Sequence, residues 1–207
     1  MDQVNYATLD AAKNAFIRAS RKTLGFAKRY GFVPGKKLGG SANVFSLNLK
    51  GFLKRQQGEL FVTHLCEGLG TADEARPDDL NEKELLEFWN IIGRKTVAVM
   101  SNDAACSGMQ TLLLSLYLPS SDPELVFKPV FMRGFLKGIV EACRQIGCVY
   151  FSGETPQLKT KLQKGKLDIA GSVFGMMSRG LRPIDGAGLS AGNLMVFVES
   201  TGPNENG

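Results

Sequence analysis

The run from Met109 to Leu118 constrains the fold most, because it is apolar on both sides of an extended chain. Within it, five leucines surround one serine and one tyrosine over positions 112–118. A strand with one face in water alternates apolar and polar residues, whereas a strand covered on both faces reads as a nearly continuous apolar run. The run therefore predicts an inner strand of a sheet that is covered by other elements.

The remaining patterns predict helices and strands that would cover this strand. Residues 8–30 have apolar side chains at helical spacing, and a second helical pattern begins after Asn81 and reaches Met100. A third helix opens at Pro129 and ends at Gly147. Strands are predicted at residues 44–49, 60–65 (as the hairpin partner of 44–49), 148–151, 167–177 and 194–198. This alternation predicts an α+β sandwich, in which a mixed or antiparallel β-sheet carries its helices on one face.

The chain is expected to divide into three parts. Residues 1–40 hold the first helix and a basic glycine loop that contains Lys36 and Lys37, and residues 41–185 form the main α/β domain. Residues 186–207 contain a loop, a strand and a polar tail, which are typical of the opening of a second, truncated domain.

Composition narrows the class of protein. The 207 residues are 43% hydrophobic and 22% charged, as in ordinary globular proteins, and no apolar run approaches the length of a membrane helix. The N-terminus lacks the pattern of a signal peptide, so we expect a cytoplasmic protein without a membrane partner. Four cysteines without a C-x-x-C pair, and the single His64, argue against a zinc site and predict free, mostly buried thiols.

Charge is spread unevenly along the chain. Residues 1–55 carry eleven Lys and Arg against two Asp and Glu, while residues 56–100 carry four against nine. A basic N-terminal part suits a phosphorylated ligand or is simply solvated, and the acidic middle part argues against a nucleic-acid groove. No repeat of aromatic and basic residues supports nucleic-acid binding.

A strand that ends in Cys66-Glu67-Gly68-Leu69-Gly70-Thr71 is the first candidate site. Glycines let backbone N–H groups approach an anion closely, and a carboxylate is a ligand for a hard cation. The alternative is a tight turn without a ligand.

Two further polar groups follow predicted apolar elements. Asn102-Asp103 interrupts an apolar helical run, either as a functional pair or as a helix-end cap, and Ser152-Gly153-Glu154-Thr155 follows a strand. The lysines of residues 159–166 form either a lid over phosphate or a solvated loop.

Four motifs in order resemble one known family. They are Cys66 to Thr71, Asn102-Asp103, Gly147-Cys148 with Gly153-Glu154-Thr155, and Asp168 to Gly171. They resemble D-G-V-G-T-K, V-N-D, G-C…G-G-E-T and D-L-A-G of the N-terminal, ATP-binding half of aminoimidazole ribonucleotide synthetase (phosphoribosylformylglycinamidine cyclo-ligase). The resemblance covers nearly the whole chain, and the tail is similar to the segment S-S-G-L-H-S-N-G.

The resemblance implies an ATP-dependent imidazole ring closure in purine biosynthesis, with a phosphoribosyl small molecule as substrate. It implies Asp103 and Glu154 as catalytic residues and Mg²⁺ bound by Glu67, Asp103 and Glu154. It also implies a homodimer in which two such domains pair into a β-barrel. The residues implied to contact ATP are Glu67, Gly68, Gly70, Thr71, Asn102, Gly153, Thr155 and Asp168.

The sequence departs from the family pattern in ways that leave two other functions open. Glu67 replaces an aspartate, Ala72 a lysine, Ser152 a glycine and Asn204 a histidine. These changes, with no second domain within the 207 residues, keep open a non-catalytic dimerisation or regulatory module. Other members of the same superfold, such as formylglycinamidine ribonucleotide synthase, selenophosphate synthetase and thiamine-phosphate kinase, are the nearer alternatives.

Overall fold

The computed structural model describes residues 6–35, 43–48, 60–177, 181–199 and 206. The basic glycine loop with Lys36 and Lys37 lies outside the described residues. None of the helices in the described part of the chain is long and apolar enough to cross a membrane.

Local sequence signals explain where the main helices begin and end. Helix α1 spans Tyr6–Thr23, α2 Glu82–Cys106, the short α3 Pro123–Val126 and α4 Pro129–Ile146. Asn81 caps α2 through a capping box with Glu84, in which each side chain accepts a hydrogen bond from the other residue's backbone N–H. Gly147 ends α4 at φ 78°, a left-handed conformation that glycine adopts without strain.

Two sheets form from residues far apart in the chain. Strands β1 (Phe32–Pro34) and β2 (Phe45–Leu47) make a small antiparallel ribbon. The main sheet has the order β3-β6-β4-β5, with β3 at Val62–Gly68, β4 at Met109–Tyr117, β5 at Val149–Glu154 and β6 at Ala170–Met177. Strand β6 is antiparallel to both β3 and β4, while β4 and β5 are parallel.

Helices α2 and α4 close one face of the main sheet. Leu114, Leu116 and Val173 point into a core that also contains Met100 and Phe135 from these helices. The helices pack with little space between their backbones: a Cβ added to Gly138 would overlap the carbonyl oxygen of Asn90. Glycine is therefore required where the two helices cross. Helix α1 packs against α4 and β5 beside this core.

The β1–β2 ribbon covers part of the opposite face. Phe45 lies 5.4 Å from Phe151 and 6.1 Å from Phe174, measured between ring centroids, and Phe32 stacks on Phe45. These rings form a second core with Leu113, Val149 and Met176. The inner strand β4 is thus covered on both sides over its first half, as its sequence predicts, and the α+β fold with helices on one face is confirmed.

Two strand predictions are wrong. Residues 44–49 do not pair with residues 60–65, because β2 pairs with β1 and β3 pairs with β6. Residues 194–198 form no strand, and their side chains are 82–93% exposed, since no strand edge in the described part of the chain pairs with them. Three element boundaries differ from the prediction. Helix α1 ends at Thr23 instead of residue 30, β5 continues to Glu154 instead of ending at residue 151, and β6 begins at Ala170 instead of residue 167.

The cysteines are free, as predicted, but only two of them are buried. Cys143 and Cys148 lie in the core, whereas Cys66 and Cys106 are exposed. Alternation along β3 explains why Cys66 is exposed: its side chain points away from the helices, on the side of the sheet that the ribbon leaves open.

Candidate functional site

A cavity of about 800 Å³ opens where β4 and β5 end and β6 begins. Its volume lies in the range of cavities that bind small molecules, about 300–1,000 Å³. Its walls come from β3, β4, β5, β6, helix α1 and Asn43, so residues from most of the chain meet there. Asn43 is fixed in the wall by a hydrogen bond from its side-chain amide to the carbonyl oxygen of Phe151.

A row of small polar side chains crosses the sheet inside this cavity. Cys66, Ser172, Ser115 and Ser152 occupy matching register positions on β3, β6, β4 and β5. The hydroxyls of Ser115 and Ser152 are hydrogen-bonded at 2.7 Å. The apolar face of the sheet therefore becomes polar towards the end of β5, beyond the aromatic core under the ribbon.

The predicted motif at the end of β5 lines the cavity. Gly153, Glu154 and Thr155 are all part of the wall. The Glu154 side chain is exposed, and one of its oxygens accepts a hydrogen bond from the Thr155 N–H at 3.2 Å. A Cβ on Gly153 would come within 2.9 Å of the Leu116 carbonyl oxygen and the Tyr150 hydroxyl, so glycine fits the close packing of β5 on β4.

Two buried hydroxyl groups in the cavity wall lack a hydrogen-bond partner. Ser20 of α1 and Thr155 are each 6% exposed, and neither side-chain oxygen has a partner in the structure. Buried polar atoms are nearly always paired in folded proteins, because an unpaired one has lost its bonds to water. A ligand in the cavity would supply the missing partners.

Helix α1 contributes residues that the motif reasoning missed. Lys13, Phe16, Ile17 and Ser20 line the cavity. They follow the spacing i, i+3, i+4, i+7, which places them along one side of a helix. This spacing is visible in the sequence, but only the tertiary fold shows that this side of α1 faces the end of β5.

Burial keeps Tyr150 protonated in the cavity wall. Loss of hydration raises the pKa of the Tyr150 hydroxyl well above its ordinary value, and the nearby Cys143 thiol raises the pKa further. The phenol is therefore neutral at physiological pH.

The other predicted residues lie elsewhere. Glu67 follows Cys66 on β3, so its side chain points to the helix-covered face, and its carboxylate accepts a hydrogen bond from the adjacent Gly68 N–H at 3.1 Å. Gly70 has φ 67°, which fits the predicted tight turn, and Thr71 precedes a short 3-10 helix at Ala72–Ala75. Neither residue, nor Gly68, belongs to the cavity wall.

Asn102 and Asp103 lie near the C-terminal end of α2 and contact Asn206. The Asn206 amide donates hydrogen bonds of 2.8 Å to the Asp103 carboxylate and to the Val99 carbonyl oxygen. The Asn102 amide donates to the Asn206 side-chain oxygen at 3.2 Å. The helix continues to Cys106, so this pair does not cap its end.

Asp168 is exposed before β6, and its N–H donates to the Pro119 carbonyl oxygen. It lies near Asp73, whose pKa is raised mainly by burial and further by the charges of Glu74 and Asp168, while the backbone and Lys166 act in the opposite direction. Lys166 pairs with Glu74 at 3.0 Å, and residues 159–166 form a loop without regular structure.

The three predicted metal ligands do not converge within one chain. Ligand oxygens lie about 2.0–2.1 Å from Mg²⁺, so they must lie within about 4 Å of one another. Strands β3 and β5 are the two edges of the sheet, three strand spacings or about 14 Å apart. No three His, Cys, Asp or Glu side chains in the described residues are grouped to hold a metal ion, and a site at Glu67, Asp103 and Glu154 stays a prediction.

Comparison with known proteins supports the predicted resemblance. Residues 77–177 match the family described as AIR synthase related protein, N-terminal domain. Phosphoribosylformylglycinamidine cyclo-ligase of Anaeromyxobacter sp. is 31% identical over 172 residues, and that of Alkaliphilus metalliredigens is 26% identical over 170 residues. Each alignment covers 82% of this chain and 44% of the relative, so the chain spans less than half the length of these relatives.

A solved structure supports the fold independently. The E. coli hydrogenase maturation protein HypE superposes with a TM-score of 0.54 at 17% identity, covering 89% of this chain and 48% of HypE. The resemblance to the N-terminal domain of the aminoimidazole ribonucleotide synthetase family is thus confirmed. The match at residues 77–177 covers helices α2 to α4 and strands β4 to β6, so this part of the chain carries the likeness to the AIR synthase related protein, N-terminal domain.

Proposed function

We propose that this chain is the ATP-binding domain of a phosphoribosylformylglycinamidine cyclo-ligase-like enzyme of cytoplasmic purine biosynthesis. The observation that carries the proposal is the cavity at the end of β5, where Gly153, Glu154 and Thr155 of the family motif line one wall. Its size, its mixed apolar and hydroxyl lining and its unpaired buried hydroxyls suit a nucleotide.

Within the cavity, each group has a proposed role. The hydroxyls of Ser152 and Thr155 bind ligand oxygens, and the apolar residue Phe151 contacts the base or sugar. In the reaction of these ligases, ATP phosphorylates the amide oxygen of the substrate, and an internal nitrogen then displaces phosphate. The phosphorylated end of the nucleotide would face Glu154, at the open end of the sheet.

Mg²⁺ and a second copy of the chain belong to the same proposal. Glu67, Asp103 and Glu154 are the proposed ligands of Mg²⁺, but in one chain they do not fit a single ion. Val62 and Tyr117, on the face of the sheet that the helices leave open, are 50% and 43% exposed. These side chains support a homodimer that pairs the open faces of two sheets.

A non-catalytic dimerisation or regulatory module is the second candidate. The separation of the three carboxylates favours it, as does Ala72 in place of the family lysine. Such a module would form dimers without binding ATP.

Isothermal titration with ATP, with and without Mg²⁺, separates the two functions. The wild type is expected to release binding heat and to melt at a higher temperature with ATP, because a ligand stabilises the state that binds it. Thr155→Val and Glu154→Gln should each change the Kd for ATP at least about threefold, whereas Glu87→Gln, an exposed glutamate on α2, should not. Dimers without any binding heat would reject the ATP-binding function and support the module.

A further inference from the structure

We propose that helix α1 is one wall of the nucleotide site, in which Lys13 binds a phosphate group and Ser20 positions the ligand. This inference rests on the proposed ATP-binding function and names the element that completes its site. The proposal is supported by the position of α1: its side from Lys13 to Ser20 lines the same cavity as Glu154 and Thr155 at the end of β5.

Helix α1 is held at a fixed position against β5. The Thr23 hydroxyl accepts a hydrogen bond from the Tyr150 N–H at 3.0 Å and lies 2.7 Å from the Ser20 carbonyl oxygen, to which it donates. The Phe16 ring packs edge-on against Tyr150, with centroids 6.4 Å apart. Thr23 is fully buried, so the helix cannot slide along the strand without breaking these contacts.

Lys13 and Glu154 lie at similar distances along the chain from this anchor. Lys13 lies ten residues from Thr23, which is about 15 Å along a helix. Glu154 lies four residues from Tyr150, which is about 13 Å along a strand. Both residues also line the same cavity, and the proposed phosphate groups lie between them.

Charge in the cavity wall supports the role of Lys13. Among the described residues that line the cavity, Lys13 is the one with a positive charge and Glu154 the one with a negative charge. A polyphosphate beside Glu154 would meet repulsion unless a cation is close by. Because the three carboxylates do not gather around one ion, Lys13 is the cation that this part of the chain itself supplies.

Ser20 adds an observation that does not depend on charge. Its hydroxyl is buried and unpaired, and it is carried by a single rotatable bond next to the cavity. An unpaired buried hydroxyl destabilises the folded protein relative to alanine, whereas a hydroxyl that binds a ligand adds to affinity. Replacing Ser20 by alanine should therefore leave the stability of the free protein unchanged or raise it, and should lower its affinity for the ligand.

The first test compares two lysines of the same helix. Lys13→Gln removes the charge but keeps an unbranched polar side chain of similar helix propensity, and it should weaken ATP binding about tenfold while adenosine binding changes less than about twofold. Lys13→Arg should restore most of the affinity for ATP. Lys22→Gln, at an exposed position of α1 outside the cavity wall, is the matched control and should bind ATP as the wild type does.

The second test uses the unpaired hydroxyls. Ser20→Ala should melt at the same or a higher temperature than the wild type and bind ATP about threefold more weakly. Ser120→Ala removes another buried, unpaired hydroxyl that is not in the cavity wall, so its affinity for ATP should not change. A lower melting temperature of Ser20→Ala with unchanged Kd would show that the hydroxyl is structural.

The combined results distinguish a failure of the proposed role of α1 from a failure of ATP binding itself. If the wild type binds ATP and Thr155→Val weakens it, while Lys13→Gln and Ser20→Ala bind as the wild type does, then α1 is not part of the site. If the wild type does not bind ATP, the proposed function fails, and the inference fails with it.

Discussion

The two faces of the main sheet are closed in different ways. On one face, helices α2 and α4 pack so tightly that glycine is required at their crossing. On the other face, the β1–β2 ribbon covers the sheet with aromatic rings and then stops, which leaves the cavity with hydroxyls that have no partner. The helix-covered face is therefore closed by tight packing, whereas the ribbon face keeps an opening in which we propose that a ligand binds.

Substitutions on the two faces are therefore expected to affect different measurements. Variants of the helix-covered face should lower the free energy of unfolding whether or not a ligand is present. Variants in the cavity wall should change ligand affinity with little effect on stability.

The largest effect is expected for Gly138→Ala on the helix-covered face. The added Cβ would overlap the carbonyl oxygen of Asn90, and backbone atoms of two packed helices cannot move apart without opening the core. Urea unfolding should show a loss of about 3 kcal/mol. At Gly25, no atom lies within 4 Å of an added Cβ, so Gly25→Ala should leave stability unchanged or raise it by up to about 1 kcal/mol. Equal losses at both glycines would show that close packing at the helix crossing is not the cause.

A smaller effect is expected for Tyr150 at alkaline pH, because this residue joins the core to the cavity wall. In the unfolded chain the phenol ionises near its usual pKa of about 10, whereas burial raises its pKa in the folded protein. The resulting stability is complete below pH about 10 and falls as the pH rises above it, at up to about 1.4 kcal/mol per pH unit. Urea titrations of Tyr150→Phe should show a shallower alkaline decline than the wild type, and an identical decline would mean that Tyr150 ionises freely.

The sequence predicted the helix-covered face well, because its signals are local. The capping box at Asn81, the apolar run of β4 and the glycine end of α4 each depend on neighbouring residues. The four ordered motifs predicted the family, and the end of β5 does line the cavity.

The sequence did not reveal which distant strands pair with one another. Residues 44–49 and 60–65 are neighbours in sequence with alternating patterns, but Phe45 instead stacks on Phe32 and packs edge-on against Phe151, which lies far away in the sequence. Sheet order likewise separates Glu67 from Glu154, since β3 and β5 form opposite edges. The order of motifs along a chain does not reveal which strands will be neighbours.

An NMR titration of the protein with ATP would show whether the nucleotide binds in the cavity at the end of β5. If the nucleotide binds at the end of β5, the backbone amide signals of Gly153 and Thr155 shift on binding, together with those of Ser20 and its neighbours in α1. Shifts confined to the glycine turn at Gly68 to Thr71, with the end of β5 unchanged, would contradict it and would place the nucleotide at the opposite edge of the sheet.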